Sequence, residues 1–179
     1  MVRCASRSRI PTGACGSPSL YRPMAVTREP TSWGVPPVST ILIVDDSPID
    51  RRLAAGLLGH APDWRIELAE DGAAALEAIL KSPPDVIVTD LQMPEMNGLE
   101  LVSNVRRQFP NIPVILMTAQ GSEEIAIAAL HAGAASYVPK RILASELQPT
   151  VRRVLTQAGE DRSQATLMNR LQERTEAYI

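Results

Sequence analysis

From Thr40 onward the chain alternates short apolar runs with helical patterns, five times over. The apolar runs are residues 41–44, 65–69, 85–89, 113–118 and 136–138, and helical periodicity follows each near 50–58, 72–80, 98–108, 123–132 and 145–158. An unbroken apolar run is buried on both faces, which is the environment of a strand between two helix layers. Five βα units therefore predict a doubly wound α/β domain with a parallel sheet and helices on both faces, a flavodoxin-like architecture. Gly59, Gly72, Gly98 and Gly133 fall at the expected helix ends and turns.

The segment before this series is different in kind. Residues 1–39 contain six of the fifteen prolines, with Ser, Thr, Gly and Arg between them and no sustained apolar period. That composition predicts a disordered segment, and Met24 is an alternative start. Both cysteines, Cys4 and Cys15, lie in it, so neither a disulfide framework nor a zinc site is expected of the domain. Five arginines stand there against Glu29 alone, while the whole chain carries −2, so the domain itself is acidic. An acidic body argues against direct nucleic-acid binding, which needs clustered cations. No apolar run approaches the roughly 20 residues that span a bilayer. The expected organisation is a segment over 1–39, a domain over 40–158, and a linker with an amphipathic helix over 159–179. A polar gap at 160–164 precedes Met168, Leu171, Thr175 and Tyr178, which recur at helical spacing.

The chemistry-bearing residues stand at the strand ends. In an open parallel sheet, ligands bind beyond the carboxyl ends of the strands, where strand order reverses. The first predicted strand ends in Asp45 and Asp46 and the third in Asp90. These ends meet if the order is 2-1-3-4-5, an order taken from known doubly wound proteins rather than derived from the residues. Three carboxylates in one pocket raise one another's pKa unless a cation lies between them. Mg²⁺ suits such a set of hard oxygens. A carboxylate beside it can attack a phosphoryl group, and Lys140 and Thr118, at the fifth and fourth strand ends, can supply a cation and a hydroxyl donor.

Asp45-Asp46, Asp90 within Val88–Gly98 (Val-Thr-Asp-Leu-Gln-Met-Pro-Glu-Met-Asn-Gly), Thr118-Ala119 and Tyr137-Val138-Pro139-Lys140 together resemble the response-regulator receiver family of two-component signalling. The resemblance covers about residues 40–158. It implies that Asp90 is the phosphoacceptor, with Asp45, Asp46, Asp90 and the backbone carbonyl of Gln92 holding Mg²⁺. It implies that Lys140 pairs with the phosphate, that Thr118 bonds it on activation, and that Tyr137 is an aromatic switch. Gln92 and Gln120 occupy the positions that tune dephosphorylation. The donor would be a histidine kinase or a phosphotransfer protein, and the place of action the cytoplasm. The output partner or domain is not legible, and a homodimer could form through the fourth helix, fifth strand and fifth helix or through the C-terminal helix. The protein would catalyse only its own phosphoryl transfer and dephosphorylation. The family usually has proline after the lysine; here Arg141 follows, and a cis bond there would cost about 2.5–4 kcal/mol.

Each residue also has an ordinary role: Asp45 as a helix cap, Asp46 and Asp90 as turn residues, Lys140 as a surface lysine, Thr118 as a strand residue, Tyr137 as a half-buried edge aromatic. The pairs Arg51-Arg52, Arg106-Arg107 and Arg152-Arg153 read as solvated helix faces. Three other functions are weighed. A phosphohydrolase with an aspartate nucleophile needs an Asp-x-Asp pattern and a cap domain, a cofactor-binding flavodoxin needs a hydroxyl-rich phosphate loop, and a pseudo-receiver scaffold needs no intact acidic pocket.

Overall fold

A computed structural model describes residues 38–119 and 122–176. Five parallel strands, β1 (Ser39–Val44), β2 (Trp64–Ala69), β3 (Val86–Asp90), β4 (Val114–Thr118) and β5 (Ser136–Pro139), form one sheet in the order β2-β1-β3-β4-β5. The connecting helices are α1 (Pro48–Leu58), α2 (Gly72–Lys81), α3 (Gly98–Gln108) and α4 (Glu123–Ala132), and α5 (Leu143–Glu176) follows a 3-10 turn, Lys140–Ile142. The predicted α/β architecture and strand order are both present.

Because strand side chains alternate between faces, the sheet feeds two separate cores. Ile41, Ile43, Val88, Ile115 and Met117 point to one face, where Leu58 of α1 and Leu147 and Val151 of α5 cover them. Leu42, Val44, Ile87 and Leu116 point to the other, under Ile79 of α2, Leu101 and Val105 of α3, and Ala129 of α4. Each such aliphatic side chain contributes about 1.5–3 kcal/mol by leaving water. Few aromatics take part; Trp64 is nearly buried, with the Arg152 guanidinium 5.0 Å above its ring.

Local signals set where each helix begins. Ser47 caps α1 by accepting from the Asp50 amide at 3.3 Å, and Pro48 occupies the first turn, where its missing N–H costs nothing. Asp71 caps α2, accepting from Ala74 at 2.7 Å. Asn97 and Glu100 make a reciprocal capping box at α3. Gly133 ends α4 at φ 93, a left-handed conformation that glycine adopts without strain.

Two expectations are corrected at the C-terminal side. The helix expected to stop at Ala158 runs unbroken to Glu176, through Gly159 and the polar stretch 160–164. Glu160, Arg162 and Gln164 are good helix formers on an exposed surface, and one glycine costs only about 1 kcal/mol relative to alanine. Pro149, expected only near a first turn, is the seventh residue of α5. The Ser145 carbonyl it leaves without a helical partner belongs to an exposed residue, where water can satisfy it. Every peptide bond among the described residues is trans, that of Lys140–Arg141 included.

Candidate functional site

Four strands deliver polar side chains to one end of the sheet. The register sets Val44 opposite Thr89, Asp90 opposite Met117, and Thr118 opposite Pro139. Asp45 therefore leaves β1, Asp90 closes β3, Thr118 closes β4 and Lys140 leaves β5, all at neighbouring positions. Asp45, Asp90 and Thr118 are buried, whereas Asp46 is exposed at the rim. Carboxylate oxygens of Asp45, Asp46 and Asp90 all lie within 4.8 Å of one another. An all-oxygen cluster this tight, with one member facing solvent, fits a hard divalent cation that keeps part of its water shell.

The backbone holds the buried carboxylates in place. Asp45 Oδ1 accepts from the Ser47 amide at 2.8 Å, so Asp45 is not the cap of α1, whose cap is Ser47. Asp90 Oδ2 accepts from the Gln92 amide at 3.1 Å. Gly98 brings the start of α3 against the end of β3, its amide donating to the Leu91 carbonyl at 2.9 Å.

Lys140 is the hub of the site. Its Nζ lies 2.9 Å from Asp45 Oδ2, 3.1 Å from Asp90 Oδ1 and 2.7 Å from Asp50 Oδ2. Burial alone would favour the neutral amine, but the hydrogen bonds it donates to Asp50, Asp45 and Asp90 hold the ammonium well above the usual lysine range. Burial pushes the Asp90 carboxyl up, and the Asp45 charge adds to that against the opposing pull of Lys140. Lys140 is thus no ordinary surface lysine.

Asp50 was not singled out by the sequence. Its position in the first turn of a helix is ordinary for an aspartate, and its partner lies 90 residues further on. Two arginines of the predicted pairs do more than solvate a helix face: Arg51 donates to the Asp45 carbonyl, and Arg152 stacks on Trp64, while Arg106 and Arg107 are exposed as expected. Tyr137 is half-buried beside Leu116 on β4, packed against the core under α2, α3 and α4. Gln120 lies outside the described residues, as does Tyr178 of the C-terminal stripe.

A parallel sheet of order 2-1-3-4-5, with an acidic trio and a lysine at its carboxyl end, is the arrangement of a signalling receiver module. Residues 41–152 match the response regulator receiver domain family, and the chain belongs to it. The chain is similar to the probable transcriptional regulatory protein TcrX of Mycobacterium tuberculosis, 36% identical over 120 residues, which are 67% of this chain and 51% of TcrX. Among solved structures it resembles the receiver domain of the putative response regulator NarL from Mycobacterium tuberculosis, with TM-score 0.64 and 30% identity over 68% of this chain and 98% of that one. It also resembles the Vibrio cholerae chemotaxis protein CheY4, with TM-score 0.61 and 33% identity over 65% of this chain and 98% of that one. The chain spans about half the length of TcrX. Receiver domains of two-component systems switch on phosphorylation and bind Mg²⁺ through acidic residues. Among the described residues no helix is long and apolar enough to cross a membrane.

Proposed function

We propose that this receiver accepts a phosphoryl group on Asp90 and thereby switches a partner-binding surface. The observation that carries the proposal is the position of Asp90, in a carboxylate trio within 4.8 Å and 3.1 Å from the Lys140 ammonium. An Asp90 carboxylate oxygen attacks the donor phosphorus, the new O–P bond forms as the donor's P–O or P–N bond breaks, and the leaving group departs with the electron pair. Mg²⁺, held by Asp45, Asp46, Asp90 and the Gln92 carbonyl, would supply positive charge to the phosphoryl oxygens. Lys140 meets one of those oxygens as a point charge, and the Thr118 hydroxyl donates to another.

Engagement of Thr118 then biases a two-state equilibrium on the β4–β5 side, with Tyr137 as the side chain that repacks beside Leu116. Gln92 and Gln120 follow Asp90 and Thr118 by two residues in the sequence, the positions at which the family tunes dephosphorylation. The donor is a histidine kinase or phosphotransfer protein in the cytoplasm. The responding surface is the face of α4, β5 and α5, where Ile127 and Leu130 stand exposed. That face, or the part of α5 beyond residue 158, serves a second copy of the chain or an output partner.

Intact-protein mass after incubation with acetyl phosphate and Mg²⁺ tests the first step. One added phosphoryl mass is expected, absent in Asp90→Asn and in EDTA. A wild-type protein that gains no mass under any condition would be a scaffold instead.

A further inference from the structure

Asp50 stands outside the carboxylate trio yet makes the shortest of the three contacts to Lys140, at 2.7 Å against 2.9 Å for Asp45 and 3.1 Å for Asp90. A lysine ammonium has three N–H donors, and here each has a different carboxylate within reach. These three partners do not fare alike during phosphorylation. In the phosphorylation proposed above, Asp45 would help hold the divalent cation and Asp90 would become the acyl phosphate. Asp50, fixed in the first turn of α1 and partly open to solvent, belongs to neither event. Neither event consumes its contact to the lysine.

We propose that Asp50 is an electrostatic brake on phosphorylation, a positioning residue that holds the Lys140 ammonium toward α1 and away from the incoming phosphoryl oxygens. This deepens the receiver function proposed above and rests on it. Two effects of Asp50 act in the same sense. Its carboxylate competes with the donor for Lys140, and its charge repels an anionic donor at short range. Toward the cation the sign is opposite: Asp50 adds negative charge near the trio and draws Lys140 partly off Asp45 and Asp90. Its presence thus favours Mg²⁺ while slowing the donor.

Opposite signs make the test discriminating. In Asp50→Asn, the rate constant for phosphorylation by acetyl phosphate at saturating Mg²⁺ is expected to rise about two- to tenfold, from the loss of one nearby charge in a partly screened site. Mg²⁺ affinity, measured by calorimetry on the unphosphorylated protein, is expected to fall about two- to fivefold for the same reason. Asp50→Glu, which restores the charge, should return both values toward wild type. A merely structural role would lower both quantities in Asp50→Asn, and that result overturns the proposal. So does an unchanged phosphorylation rate, or a Glu variant that behaves like Asn. If wild type itself takes up no phosphoryl group, the receiver function fails and this inference falls with it; if wild type is phosphorylated and Asp50→Asn is no faster, the inference alone fails.

Discussion

A Cβ placed on Gly98 would stand 2.2 Å from the carbonyl oxygen of Asp90. The first residue of α3 thus presses on the backbone of the residue proposed to carry the phosphoryl group, at a distance no side chain tolerates. The Leu116 side chain, 2.7 Å from the same point, blocks escape on the other side. Gly98→Ala is expected to cost about 1–3 kcal/mol, the usual range for forced overpacking. Urea denaturation measures that loss. Phosphorylation by acetyl phosphate should slow as well, because Asp90 must shift with its own carbonyl.

Replacing Asp90 with Asn removes a buried carboxyl whose charged form the fold disfavours. Burial raises its pKa above the ordinary 3.8. The folded state therefore binds the proton more tightly than the unfolded chain does. The stabilisation this gives is present at low pH and is lost as pH rises from about 3.8 through the raised folded value. In EDTA at neutral pH, Asp90→Asn should melt above wild type, and the difference should vanish near pH 3. Differential scanning calorimetry across that range checks both points.

Lys140→Met takes the cation from the buried carboxylates of Asp45 and Asp90. Loss of one partner from a buried pair leaves the other uncompensated, and a cost of roughly 2–3 kcal/mol is expected here, since the Asp50 side of the site is open to water. Saturating Mg²⁺ should restore part of it, because a ligand at a hundred times its Kd stabilises the folded state by about 2.7 kcal/mol. Thermal melts with and without Mg²⁺ give the comparison, and phosphoryl uptake should be lost in both.

Gly159 lies mid-helix in α5, and beyond its chain neighbours and the helix's own backbone no atom lies within 4 Å of where its Cβ would be. Alanine there meets no obstacle and should add about 0.5–1 kcal/mol of local helix stability. Hydrogen exchange over residues 160–169 should slow. Proline at the same position should break the helix and speed exchange beyond it while leaving the sheet protected.

The layered fold was readable because the inner strands β1, β3 and β4 are nearly continuous aliphatic runs, with Gly72, Gly98 and Gly133 marking turns between units. The order of strands was not derivable from the residues, since periodicity says which face is buried and nothing about neighbours. Asp45, Asp46, Asp90 and Lys140 could be placed together because sheet geometry gathers strand ends. Asp50 escaped because it is carried by a helix, and a first-turn aspartate has a sufficient local explanation. The continuation of α5 escaped because a run of charged and polar residues looks alike in an exposed helix and in a loop. In the structure the Arg162 guanidinium lies 3.3 Å from Asp85, a residue that also caps the start of β1 by accepting from the Thr40 amide at 2.9 Å.

The unbroken helix from Leu143 has a mechanical consequence. At 1.5 Å per residue its 34 residues make a rod about 50 Å long. One end is seated beside Lys140, and residues 159–169 stand exposed. Leu143, Leu147, Val151 and Val154 seat the rod's first third in the core, and the turns beyond project from that seat as an exposed arm. A 5° tilt of the turns beyond Val154, about 33 Å of helix, moves the far end by about 3 Å. The Arg162–Asp85 contact, 3.3 Å between partly exposed side chains, ties this arm back to the residue that precedes β3.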